Sequence, residues 1–364
     1  MKRYPLIVVF MVLTGLVALG GNPDRAGGAG ATSLLINPYS LSAGFGGINS
    51  AYVRGAEAFH LNMGGLAYTE GTEILFSHVN YLQGTGIGIN NLSLAQSIGS
   101  SGNVIGFTVT KWDFGNVSNT TEAQPDGIGT FSPQIMNIGI GYSRIFSHSI
   151  TGGIVLRYVS EGISNVMSVG ACIDAGVQYQ TSLNPKNTIK KEDFRFGISV
   201  RNIGPNMSYQ GTGLTIKSYL TQSSPLPRST QIPSDYYNLP SLVNIGVAYD
   251  FRLDDKGSNA YLHRLTTVGN FTYYAFASNN VGLGLEYAFR ETFMIRAAYN
   301  WQDGIYTNNA YLTQYLGYSA GCSIKVPISK GGTALSVDYA YNPTRVFSGC
   351  HSIGIRVLVG NKKS

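Results

Sequence analysis

The stretch whose spacing most resembles a hydrolase nucleophile is Gly317-Tyr318-Ser319-Ala320-Gly321, a G-x-S-x-G pattern. That pattern works on a sharp strand-to-helix turn that exposes the serine hydroxyl. Here it falls inside a run of alternating residues, and in a chain with 46 glycines it reads as coincidence. A strand-borne serine hydrolase would also need a histidine on the serine's own face, yet Ser319 and His351 fall on opposite parities. The histidines His60, His78, His148, His263 and His351 show no metal-ligand spacing with one another or with Cys172, Cys322 and Cys350. An odd trio of cysteines gives no disulfide framework and reads as small apolar residues. No phosphate loop, dinucleotide fingerprint or carboxylate pair stands out. The chain is therefore read as non-enzymatic, with no catalytic, metal or cofactor site.

One set of charged residues does share a pattern: Asp174, Arg195, Arg201, Asp250, Arg252, Glu286, Arg296, Asp338 and Arg356. These residues lie on the polar parity of their runs, and their signs nearly balance. In a confined space such charges favour mutual ion pairing. Two roles stay open for them, a network that fills and stiffens its container and a charged path that guides a ligand.

The elements that position this set are strands. Residues Met167, Val169, Ala171, Ile173, Ala175, Val177 and Tyr179 alternate with Ser168, Gly170, Cys172, Asp174, Gly176 and Gln178. The same period recurs around Val247, Ile295 and Val337. The opposing faces carry Gly, Ser, Asn and isolated charges rather than the Lys, Glu and Thr of a solvated sheet. Only 12% of the 364 residues are charged, roughly half the usual share, while apolar types reach 43%. With 24 tyrosines the chain is too aromatic for disorder. Its longest apolar run, Leu6 to Leu19, is shorter than the roughly 20 residues of a helical span.

About 14 strands of the length a tilted membrane strand needs can be placed. Their centres fall near Phe76, Asn91, Thr108, Gly139, Val155, Ile173, Ile198, Val247, Val268, Leu283, Ile295, Tyr318, Val337 and Ile355. The fold class expected is all-β, an antiparallel transmembrane β-barrel with a small N-terminal plug-like segment. An even strand count puts both ends on the periplasmic side, with short turns there and long loops outside. Outward stripes ending in Tyr249, Phe251, Tyr299, Trp301, Tyr339 and Tyr341 suit interfacial girdles. In this register Val247→Arg should abolish insertion, whereas Gly246→Ser should be tolerated.

Residues 1–20 read as a signal peptide, with Lys2 and Arg3 ahead of the apolar core and cleavage before Gly21. Residues 21–69 form the plug or periplasmic segment, 70–359 the barrel in outer-membrane lipid, and 360–364 a tail. Net charge is +6 without a basic stripe, which excludes a nucleic-acid partner. The stretch from Ser208 to Pro240 sets Tyr209, Tyr219, Tyr236 and Tyr237 among Ser, Thr and Pro, a composition suited to protein contact.

Several motifs carry a resemblance. Phe194-Arg195-Phe196-Gly197 leading to Arg201-Asn202-Ile203-Gly204-Pro205 resembles a strand and turn of the PorV/PorQ outer-membrane proteins of type IX secretion. Those proteins are relatives of the FadL fatty-acid transporter barrels. Leu239-Pro240-Ser241-Leu242 entering Gly246-Val247-Ala248-Tyr249 is similar to the family's return strand. Gly284-Leu285-Glu286-Tyr287 with Ile295-Arg296-Ala297-Ala298-Tyr299 resembles its hairpin, and Val337-Asp338-Tyr339-Ala340-Tyr341 with His351-Ser352-Ile353 its closing pair. Where the family usually has Asn-Pro-Ala before the first strand, this chain has Asn62-Met63-Gly64. The resemblance implies a component of protein export in a Bacteroidota-type bacterium. Its partners would be secreted cargo proteins and the type IX translocon or attachment complex. A FadL-like channel for small hydrophobic molecules is the alternative.

Overall fold

The computed structural model describes residues 25–99, 101–183, 192–218, 228–254, 262–306, 313–329 and 332–360. Residues 1–24, with the leader expected there, the tail beyond residue 360 and Tyr219 lie outside them. The main strands are β1 Thr72–Tyr81, β2 Ile87–Ile98, β3 Asn103–Asp113, β4 Gln134–Ile145, β5 Ile150–Ile163, β6 Val166–Thr181 and β7 Phe194–Ile203. They continue as β8 Leu242–Arg252, β9 His263–Tyr274, β10 Asn280–Phe289, β11 Phe293–Gln302, β12 Tyr318–Pro327, β13 Ala334–Asn342 and β14 Cys350–Val359. Each pairs antiparallel with its sequence neighbours, and β1 closes on β14 through Thr72 opposite Val359. The product is a closed barrel of 14 strands, which leaves no open sheet edge in the bilayer. Every centre placed from sequence lies within a strand, Tyr318 at the very first residue of its own.

The alternation sets the two faces. On β8, Asn244, Ala248 and Asp250 are buried inside the barrel while Ile245 and Phe251 face out. The outer wall is an apolar band, exemplified by Leu92, Ile140, Leu156 and Ile295, all more than half exposed. Aromatic rings gather at both rims. Tyr249 and Phe251 pack at 4.6 Å at one end, Tyr299 and Tyr318 at 4.9 Å at the other. A closed wall of this kind belongs in lipid, and the protein sits in the outer membrane.

The loop rule holds only in part. Connections at 99–102 and 146–149 are short on the periplasmic side, but on the outer side β5 and β6 are joined by residues 164–165 alone. The extra length there lies in the strands, which are 14 and 16 residues long, so the hairpin itself projects.

The lumen is not an open polar bore. Residues 25–69 thread through it as the 3₁₀ turn Thr32–Leu35, helix α1 Ser40–Gly44, helix α2 Ala58–Leu61 and the 3₁₀ turn Met63–Tyr68. Tyr39, Val53, Phe59, Leu61, Met63 and Leu66 of this plug form a buried apolar core with Leu75, Val104 and Val155 of the wall. The small residues of the lumen face are seats for it. A Cβ at Gly141 would come 2.5 Å from Met63 Cε and 2.9 Å from Phe59 Cε1. One at Gly246 would come 2.3 Å from Ser50 Oγ, so Gly246→Ser, expected from the sequence to be tolerated, would press on the plug even where insertion is unaffected.

Asn62 pins the plug to the wall. Its Nδ2 donates to the Val177 carbonyl at 3.1 Å, while its Oδ1 accepts from Gly64 N at 3.0 Å. Gln178 Nε2 adds bonds to the carbonyls of Ser50 and Val53 at 3.0 and 3.1 Å. These bonds satisfy plug carbonyls that an irregular segment would otherwise bury unpaired.

Candidate functional site

Alternation brings most of the sequence-selected charges into one belt around the periplasmic half of the lumen. Arg195 on β7 reaches Asp250 on β8 at 2.7 Å, and Arg264 on β9 lies 3.7 Å from the same carboxylate. Arg264 also meets Glu286 on β10 at 3.1 Å, and Arg296 on β11 meets Glu286 at 2.9 Å. Arg296 Nη1 then donates to Ser323 Oγ at 2.8 Å, and that hydroxyl donates to Asp338. Arg356 on β14 closes the belt, 3.9 Å from Asp338 and 3.5 Å from Glu73 of β1, with a short contact to Glu57 of the plug. Tyr52 of the plug is wired in as well, accepting from Arg264 Nη1 at 2.7 Å and donating to Glu286 Oε1 at 3.0 Å. Such a belt holds the plug against the wall. Buried pairs of this kind add little net stability, but removing one partner strands the other.

The remaining members lie elsewhere. Arg252 is half-buried at the periplasmic end of β8. Asp174 and Arg201 sit higher, on a separate cluster. Asp174 Oδ2 accepts from Arg157 Nη2 at 2.8 Å, and its Oδ1 accepts from the backbone N–H of Asn202 at 2.6 Å. Asn202 holds a left-handed φ of 59°, which Asn tolerates better than most residues. At this point the β6–β7 ladder breaks, with a bulge between Ile173 and Ala175. Above the break the chain after Asn202-Ile203-Gly204-Pro205 covers the edge of β6. Met207 packs over Gly170, and Tyr209 and Gln210 pair with Ser168 and Met167.

Sequence parity missed Arg157, Arg264 and Glu73, although each sits on the inward parity of its strand and the same rule would have found it. Glu57 and His60 belong to the plug, where no period exists to mark them.

Tyr209 and Tyr237 do not form an exposed contact surface. Their rings lie 5.6 Å apart, and Tyr237 donates to Ser168 Oγ at 2.8 Å while packing on Met207 and Leu239. Of the three described tyrosines chosen from this stretch, Tyr209, Tyr236 and Tyr237, only Tyr236 is largely exposed, at 75%. Ser319 is buried inside and His351 stacks outside on Tyr341, 4.8 Å between centroids, so the two cannot act together. Among the described residues no group of His, Cys, Asp or Glu could hold a metal ion.

Above the plug, at the outer end of the lumen, lies a cavity of about 170 Å³. Its floor is Ala43, Gly46, Gly47 and Leu61 of the plug, and its walls include Leu242, Tyr274, Asn280, Asn300, Tyr315 and Asn342. Arg201 and His60 line it from the deep side, 3.2 Å apart between Nη2 and Nδ1. His60 is buried between the guanidinium groups of Arg201 and Arg157, and burial, followed by those charges, holds its pKa well below the usual imidazole range. It is therefore neutral and accepts from Arg201. A smaller pocket of about 20 Å³ lies on its other side, near Thr110, Asn137 and Arg157, large enough for a water molecule.

No protein-family model matches the chain, and no curated protein does. Among solved structures it is similar to the toluene transporter TodX of Pseudomonas putida, with a TM-score of 0.53 at 11% identity over 88% of this chain and 97% of that one. A deletion variant described as a TodX monoaromatic hydrocarbon channel gives 0.53 at 12% identity over the same shares. A Pseudomonas aeruginosa FadL homologue gives 0.47 at 10% identity over 87% and 96%. At these identities the likeness is one of fold, and the fold is the plugged outer-membrane β-barrel built above from its own strands.

Proposed function

We propose that the barrel binds small hydrophobic molecules at its outer mouth and passes them across the outer membrane. The observation that carries this reading is the cavity of about 170 Å³ at the outer end of the lumen, floored by the plug, with polar and apolar groups sharing its lining. Its size is that of a small molecule, since a cavity of roughly 150 Å³ takes up benzene. The similarity in fold to the toluene transporter TodX supports the same class of cargo. The belt and plug fill the lumen below, so passage needs the plug to shift.

Uptake of labelled toluene by cells with and without the protein tests the reading. Leu242→Trp, which fills the cavity wall without adding charge, should leave the barrel assembled and return uptake to background. Equal uptake by wild type, variant and empty cells would overturn it. Delivery of secreted proteins in type IX secretion is the rival reading. It draws on the short motifs of β7, β8, β10, β11, β13 and β14, and would be favoured by loss of surface cargo when the exposed loop around Tyr236 is replaced.

A further inference from the structure

We infer that the outer cavity is built to receive a carboxylate, a small organic monoanion the size of one aromatic ring or a short chain, held by Arg201. This deepens the proposed function and rests on it. The argument begins with pairing. Arg157, Arg195, Arg264, Arg296 and Arg356 each face a carboxylate within the lumen. Arg201 differs. Through Nη2 it donates to the Leu34 carbonyl at 3.2 Å and to His60 Nδ1 at 3.2 Å, and no described carboxylate lies within ion-pair distance. Its Nε is buried without a hydrogen-bond partner, as are those of Arg157 and Arg195, so it is the missing ion pair that sets Arg201 apart.

Arg201 is only 4% exposed and makes no direct ion pair among the described residues. Asp174 acts on it only at longer range, its oxygens already taken by Arg157 and the backbone N–H of Asn202. Buried guanidinium groups are stable when a carboxylate takes their two-pronged hydrogen bonds. Among the residues lining the cavity it alone carries a fixed charge, with neutral His60 beneath it holding one edge of the fork. Asn37 Nδ2, a second buried donor without a partner, borders the same space. Two idle donors and a guanidinium without a direct ion pair, around a cavity lined by polar and apolar groups alike, describe the complement of a small acid. A neutral hydrocarbon would fill the volume and leave the charge unanswered. A long chain would be stopped by the floor at Gly46, Gly47 and Leu61.

Calorimetric titration of the full-length protein in detergent at neutral pH, with benzoate, benzamide and toluene as probes, tests this. Benzoate should bind about tenfold or more tightly than benzamide, the margin a charge-assisted hydrogen bond to the free part of the guanidinium supplies. Arg201→Gln should erase that margin, bringing benzoate down to the affinity of benzamide, and Arg201→Lys should keep part of it. The migration shift of the folded barrel on unheated gels reports whether each variant is assembled. If Arg201→Gln does not assemble, the Lys variant and the benzoate-to-benzamide ratio of the wild type still decide. Equal affinity for benzoate and benzamide would overturn the inference. Toluene binding without benzoate binding would overturn it while leaving the proposed function standing, and binding of no probe would remove both.

Discussion

Asp174 stands where the β6–β7 ladder stops, and its two oxygens hold two different elements. One oxygen accepts from Arg157, whose other bond runs to the Phe59 carbonyl of the plug at 2.8 Å. The other accepts from the left-handed Asn202 that turns the chain out of the wall. Asp174→Asn should therefore leave Arg157 buried without its anion, at a cost of about 3–5 kcal/mol. Unfolding in detergent should show that loss, and Arg157→Met added to Asp174→Leu should recover part of it. His60 gives a second expectation, this time in pH. Its folded pKa lies below the ordinary value of roughly 6.5, so the unfolded chain takes up a proton first as pH falls. The groups facing it are Arg201 and Arg157 from the wall, Asp174 behind Arg157, and Tyr39 of the plug, its ring 6.5 Å away. Stability present above pH 6.5 should then decline below it by up to roughly 1.4 kcal/mol per pH unit. In His60→Gln the decline between pH 6.5 and 5.5 should flatten, and an unchanged slope would show that His60 does not bear it.

At the scale of the element, period two carried most of the information. A strand that faces lipid on one side and a lumen on the other must alternate, and so the parity of Asp250, Glu286, Arg296 and Asp338 placed them inside together. What parity could not express is that the lumen holds another chain segment. Residues 25–69 have no period, because a plug surrounded by wall is buried on all sides. Glu57 and His60 consequently left no mark in the sequence, and lumen glycines such as Gly141 and Gly246 gave no sign of which plug residue each one seats. Strand β8 separates the two faces experimentally. Val247→Arg puts a charge against lipid and should block insertion, at roughly 2–4 kcal/mol near the midplane. Gly246→Ser acts on the other side, where its Cβ would meet Ser50 Oγ and Asn270 Oδ1. That variant should insert and migrate as a folded barrel, yet release the plug to added protease. Protease resistance equal to wild type would show that the plug yields at this point.

For the whole molecule the decisive asymmetry is between the two ends of the barrel. The charged belt from Arg195 to Arg356 crosses the lumen near the periplasmic rim and grips Glu57 and Tyr52 of the plug, whereas the cavity and Arg201 lie toward the opposite rim. A barrel closed at one end and receptive at the other has a direction, and its orientation decides whether the cavity samples the environment or the periplasm. An even strand count with both β1 and β14 ending near the belt places that end inward, because both chain ends of the barrel then share the periplasmic side. The long connection between β7 and β8 follows as external, together with the exposed Tyr236. Single cysteines in a background lacking Cys172, Cys322 and Cys350 can read this directly. Cysteine at Asp235, beside Tyr236, should react with a membrane-impermeant maleimide on intact cells, and cysteine at Ser101, in the turn between β2 and β3, should react only after the outer membrane is opened. The reverse pattern would turn the cavity toward the periplasm, and uptake through the outer mouth would then have to give way to export.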